Sequence, residues 1–142
     1  MATFERFEQI ISWQEARGLN KIIGKLIDDK RFENNFRLIN QIEGSAGSIM
    51  DNIAEGFERG GNREFIQFLY IAKGSCGELR LQLYRGLDRN YITQQEFDLI
   101  SLHAMKISSL IQKLINYLES SALKGNKYKT REKEVSITSG TS

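Results

Sequence analysis

The chain has 142 residues, 40% hydrophobic, 27% charged and 10% aromatic, with no proline, one cysteine and one histidine. That is a single-domain length with enough apolar content to pack a core, so wholesale disorder is excluded. Cys76 alone cannot form an internal disulfide framework or a Cys-rich zinc site, and His103 alone leaves little for histidine catalysis or a metal.

The formal charge of +2 is unevenly placed: residues 1–120 carry 15 Lys+Arg against 16 Asp+Glu, and the excess of basic residues lies beyond them. At average usage about seven prolines are expected, so their absence beside long periodic segments points to helix. The start, MATFERFEQI, lacks the basic-then-apolar order of a signal peptide, and no apolar run reaches the ~18 residues of a membrane span. A soluble cytoplasmic protein is expected.

The first helix is announced by Ser12-Trp13-Gln14-Glu15, the order of a capping box. Ala16, Leu19, Ile23, Leu26 and Ile27 then share one face, and the helix ends near Asp28-Asp29. Trp13 reads as a core anchor, with Phe4 and Phe7 as a lead-in. The second helix spans about Asn35 to Phe57, with Leu38, Ile42, Ile49 and Ile53 as a narrow apolar stripe. Its reverse face holds Gln41, Gly44, Gly47, Ser48, Asp51, Asn52 and Glu55, small or polar and without lysine or arginine. Glycine inside a helix costs roughly 1 kcal/mol relative to alanine; close helix approach is the expected reason for Gly44 and Gly47.

Asn62 is a good N-cap for a third helix running roughly from Arg63 to Asp88. Phe65, Phe68, Leu69, Ala72, Cys76, Leu79, Leu83 and Leu87 make its core stripe. A second arc holds Ile66, Tyr70, Gly77, Leu81 and Tyr84. A helix apolar on two sides is buried on two sides, and a second subunit is the expected cover. Thr93-Gln94-Gln95-Glu96 is another capping box, followed by the stripe Phe97, Ile100, Ala104, Ile107, Ile111, Leu114, Ile115 and Leu118. The expected fold is all-α, an up-down-up-down four-helix bundle over residues 1–123. Residues 124–142 read as a flexible basic tail.

FEQIISWQEARGL, QIEGSAGSIMDNIAEGFERG and REFIQFLYIAKGSCGELRLQL carry a resemblance to a known family. They resemble the bacterial 23S rRNA intervening-sequence proteins, also called S23 ribosomal-protein-like, over about residues 4–118. The matching motifs are Trp13-Gln14-x-Ala16, Asn52 to Gly56, and Arg63 to Leu69. Where many members have Ile-Pro-x-Asn, this chain has Ile49-Met50-Asp51-Asn52. The resemblance implies a compact bundle assembling as a homopentamer, with no enzymatic activity established for the family. A related branch serves diversity-generating retroelements, where a basic pentamer works with a reverse transcriptase and RNA.

Function is then expected from surfaces. Arg59, Arg63, Lys73, Arg80, Arg85 and Arg89 around the third helix could meet phosphates once an oligomer multiplies them; the alternative is solvated charge balanced by neighbouring acids. Lys124, Lys127, Lys129 and Arg131 in the tail could attract RNA or simply solubilise the terminus. The expected subunit interface comprises Gln41, Gly44, Ser48, Asn52 and Glu55 with Ile66, Tyr70, Gly77, Leu81 and Tyr84. Asn52 and Glu55 are expected to bond the following loop or Arg63, and Gly56 to let the helix end. No GxxxxGK[ST] loop or acid–base–nucleophile set appears, so no cofactor, metal, small-molecule substrate or catalysis is expected. The resulting expectation is a non-enzymatic oligomeric scaffold or accessory protein for RNA or a ribonucleoprotein, possible reverse-transcriptase association included. The alternative is a module that binds a polypeptide partner with little nucleic-acid contact.

Overall fold

A computed structural model describes residues 4–134, with side chains described for residues 4–121. A short 3-10 turn, Phe7–Gln9, leads into α1 (Ile11–Asp28), followed by α2 (Phe36–Glu58), α3 (Asn62–Asp88) and α4 (Gln94–Glu134). No strand occurs among the described residues. Consecutive helices pack together and α1 also packs on α4, while among the described residues the diagonal pairs do not meet. Short connections make neighbours antiparallel, which yields a square up-down-up-down bundle. α4 runs on to Glu134, through the beginning of the segment read as a tail. The side chains of Lys124, Lys127, Lys129 and Arg131 lie outside the described residues, as does everything from residue 135 onward.

The apolar stripes converge as their periodicity requires. Leu19 and Ile23 of α1, Ile42, Ile49 and Ile53 of α2, Leu69, Leu79 and Leu83 of α3, and Ile107 and Ile111 of α4 are all fully buried. Phe32, in the loop between α1 and α2, joins them at 0% exposure. Its ring lies edge-on to Tyr91, with centroids 6.0 Å apart. A Cβ on Gly86 would stand 3.4 Å from Cε1 of Phe32, so the end of α3 closes directly over the ring. Left-handed backbone at Lys30 and Glu33, on either side, turns the loop inward.

Two helix starts differ from the sequence expectation. Ser12 does not cap α1: it is the helix's second residue, and its buried Oγ has no partner. Glu15 reaches across to α4 instead of back to a cap. The entry is set by buried Ile10 and by Phe7 packed edge-on against half-buried Trp13, centroids 5.1 Å apart. At α3 the cap position is Gly61, with no side-chain cap, and Asn62 is already inside the helix. The other two starts hold. Asn35 accepts from the Leu38 amide at 3.1 Å. Thr93 and Glu96 exchange backbone-to-side-chain bonds at 3.1 and 2.8 Å.

Close helix approach occurs at Gly56 rather than at Gly44 or Gly47. A Cβ on Gly56 would lie 2.6 Å from Cβ of Phe68, whereas nothing stands within 4 Å of Gly44 and only the Asp51 carboxylate comes near Gly47. Gly56 therefore seats α3 against α2 and does not end the helix, which continues to Glu58. The turn that follows is made by Gly60, at φ +86°.

One ion pair ties the α1–α2 loop to α4. Arg31 grips Glu96 with both guanidinium nitrogens, Nη1 to Oε2 at 2.7 Å and Nη2 to Oε1 at 2.5 Å. These bonds, with the Thr93 amide, hold the Glu96 carboxyl at about 2, against an ordinary value of 4.5. Because the folded value is depressed, the stabilisation is present above pH 4.5 and is lost as pH falls from there towards 2. Denaturant melts should show Glu96→Gln less stable than the parent by about 1 kcal/mol at pH 7, allowing for solvent screening. That gap should shrink steadily below pH 4.5. A gap independent of pH would show that the pair does not carry it.

Candidate assembly and nucleic-acid surfaces

The second arc of α3 faces outward beside α4. Tyr70 is 48% exposed and Leu81 70% exposed, with Tyr84 also exposed. On α4, Leu102 and Met105, one turn apart, are exposed as well. A groove runs between the two helices, with Tyr70 and Met105 on its sides and Gly74, Gly77, Cys76 and Ala104 along it. A Cβ added at Gly74 or Gly77 would meet nothing within 4 Å, so the groove is open there. Tyr84 leans on Phe97 at 4.6 Å between centroids, and Ile66 is half-buried against the core. Burial pushes the Cys76 thiol up to about 12, so it behaves as a small apolar residue.

The polar stripe of α2 is differently employed. Ser45 donates to Gln82 at 2.8 Å, the Ser48 and Ser75 hydroxyls share a bond at 2.8 Å, and Arg85 donates to Gln41 at 2.6 Å. Gln41 and Ser48 thus stitch α2 to α3 within one chain. Asn52 donates to the Ser48 carbonyl of its own helix and not to the loop, whereas Glu55 pairs at 3.7 Å with Arg59, the first residue after the helix, as the loop contact expected of it. Gly44, Ser48 and Asn52 all line one open polar groove, with Asn20 of α1 and Asp51 of α2. The residues expected to form one interface therefore lie on different flanks. Ile66, Tyr70, Gly77, Leu81 and Tyr84 belong to the α3–α4 side, whereas Gln41, Gly44, Ser48, Asn52 and Glu55 border α1 or α3.

The basic residues are likewise dispersed. Arg59 sits near Glu55 and Glu64 and over the Phe68 ring, 5.0 Å from its centroid. Lys73 donates to Gln112 at 2.6 Å and Arg80 to Ser101 at 3.1 Å. Arg63 is exposed at the start of α3, and Arg85 lies near its other end, about 33 Å away at 1.5 Å per residue. At that far end the fold gathers a cluster that charge spacing does not reveal. Arg85 and Arg89 from α3 and its C-cap meet Arg37 from the first turn of α2 around one cleft, lined also by Asn35, Leu38 and Asp88. Arg37 lies 48 positions from Arg85 in sequence, and only the antiparallel return of the chain joins them.

Among the described residues no group of three His, Cys, Asp or Glu side chains could hold a metal ion, and no helix is long and apolar enough to cross a membrane. His103 lies 3.1 Å from Glu15, and Lys106 lies 3.3 Å from the same carboxylate. Burial pushes the Glu15 carboxyl up, but bonds and charge from Lys106 and His103 outweigh it and hold the group below its ordinary value. This is an α1–α4 cross-tie.

A family model described as 23S rRNA-intervening sequence protein matches residues 8–113. Among solved structures, the chain is similar to a protein of unknown function from the S23 ribosomal protein family of Bacteroides thetaiotaomicron. That match has a TM-score of 0.69 at 24% identity and covers 74% of this chain and 98% of the other. It speaks to the fold. No curated protein matches the chain.

Proposed function

The chain belongs to the 23S rRNA-intervening sequence protein family, and we propose that it works as a non-enzymatic, self-assembling scaffold for RNA or a ribonucleoprotein. The observation that carries this reading is the apolar outer face of α3 and α4. Tyr70 and Met105 line one groove between the two helices, and Leu81, Tyr84 and Leu102 add exposed apolar surface on the same pair. A second copy covers that face. Homopentamer is the state the family resemblance implies, and each added subunit repeats Arg63, Arg85 and the basic residues from Lys124 onward. Repetition matters because a single copy spreads its arginines along a bundle of nearly balanced charge.

A labelled structured RNA titrated with full-length protein tests the nucleic-acid half of the reading. Between roughly 50 and 200 mM salt, affinity should fall by about three decades or more if six or more phosphates are neutralised. Absence of binding at the low-salt end would overturn RNA as the partner. One observation favours the second reading, a polypeptide partner: Arg59, Lys73 and Arg80 are engaged within the chain while the apolar face is free. Partner binding that is insensitive to salt would support it.

A further inference from the structure

The three-arginine cleft at the α2 start has the makings of a site. It is a concavity of about 480 Å³ whose lining includes Arg37, Arg85 and Arg89, opposed by Asp88. None of the three arginines forms an ion pair among the described residues, whereas Arg31 and Arg59 do. Three guanidinium groups against the single Asp88 carboxylate leave an excess of positive charge, which an anion relieves. The cluster is also held in place. Arg85 is anchored by the Gln41 carboxamide at 2.6 Å. The Arg89 guanidinium lies 5.4 Å from the centroid of the Tyr91 ring, and the Tyr91 hydroxyl accepts from the Asn35 side chain at 3.4 Å. Asn35 in turn caps α2 through the Leu38 amide.

The backbone around the cleft agrees in sign. Three of the last four carbonyls of α3, which would repel an anion, are occupied: Arg85 O accepts from Arg89 N, Gly86 O from Tyr91 N and Leu87 O from Asn90 N. The Arg37 amide, in the first turn of α2, has no acceptor among the described residues. Phe36, the residue before Arg37 at the start of α2, is 66% exposed at the same end of the bundle, outside the cleft lining itself. Guanidinium groups that grip phosphate and an open ring on which a base can stack are the two elements of single-strand recognition.

We propose that this cleft is a phosphate-binding subsite, filled by a phosphodiester of single-stranded RNA with a neighbouring base stacked on Phe36. The inference rests on the RNA reading above and narrows it to one end of the bundle. Arg37, Arg85 and Arg89 hold the phosphate; Phe36 distinguishes a nucleic acid from a free phosphate, which has nothing to stack.

The test uses the full-length protein at about 50 mM salt, with pyrophosphate and an oligouridylate of about ten nucleotides as probes. Amide NMR shifts and fluorescence anisotropy are the readouts. Pyrophosphate should move the Arg37 and Leu38 amides saturably, and Arg37→Gln with Arg89→Gln should weaken that binding about tenfold or more. The same double variant should weaken oligouridylate binding and lower its salt slope by about one per lost phosphate contact. Phe36→Ala should weaken oligouridylate at least about fivefold and leave pyrophosphate unchanged. These side chains are exposed, so the variants should keep the parent's helical circular dichroism.

If pyrophosphate moves the cleft amides but oligouridylate ignores Phe36, the stacked-RNA occupant is overturned in favour of a free phosphate. If oligouridylate binds and the cleft amides respond to neither probe, the subsite is overturned while the RNA reading survives. Failure of the RNA reading itself shows separately, as absence of structured-RNA binding in the salt titration.

Discussion

Replacing Phe32 with alanine lowers the stability of the bundle by about 3–5 kcal/mol, the cost of emptying a fully buried aromatic site. Phe32 belongs to no helix, yet it is wholly buried, packs edge-on against Tyr91 and is roofed by Gly86. Its ring therefore fastens the α1–α2 loop to the α3–α4 connection at one end of the bundle. The surrounding backbone is fixed by helix ends, so the cavity should collapse only partly. Thermal melts should show a drop of roughly 10 °C or more for a chain of this length. Phe32→Leu, which refills much of the volume, should recover over half the loss. A melting temperature within a degree or two of the parent would show that the loop, and the ring with it, does not close the core.

The second large effect is on assembly. Tyr70→Glu together with Leu81→Glu places two carboxylates on the exposed α3 face, where a partner would have to desolvate them. Buried interface anchors commonly contribute about 2 kcal/mol or more each, so the pair should weaken self-association by a factor of about 10³. Both side chains are substantially exposed in the single chain. Helicity and monomer stability should accordingly change little. Sedimentation should find a folded particle near 16.3 kDa. A particle of undiminished mass would move the interface elsewhere, with the α1–α2 groove around Gly44 and Asp51 the next surface to test.

Helical periodicity carries most of the fold. The stripes from Leu38 to Ile53 and from Phe97 to Leu118 read correctly because burial on one face imposes a 3.6-residue repeat that local sequence displays. The outward arc of α3 was legible for the same reason, since its apolar residues recur out of phase with the core stripe. Helix ends were harder. Ser12 and Thr93 each stand three residues before a glutamate, but only Thr93 makes the reciprocal bonds. At Ser12 the start is decided by Ile10 entering the core and Phe7 meeting Trp13, which a four-residue pattern does not contain.

Glycines show the same limit. Gly44, Gly47 and Gly56 look alike along α2, and only the position of Phe68 on the neighbouring helix distinguishes the one that must lack a side chain. The arginine cleft is wholly tertiary. Arg37 is one more surface charge in the sequence until α3 returns beside α2 and sets Arg85 and Arg89 against it. Surface sites made from residues distant in sequence leave no local signature. The polar stripe of α2 gave residue types but no partners: Ser48 and Gln41 are bonded to α3, while Gly44, Ser48 and Asn52 line an open groove.

The native mass of the untagged full-length protein in solution, by sedimentation or native mass spectrometry, bears most directly on the scaffold reading. The account predicts a discrete closed particle of several 16.3 kDa subunits, a pentamer where the family resemblance applies, held without added RNA. A single species at 16.3 kDa across the micromolar range would contradict it, leaving the apolar face of α3 and α4 to a different protein.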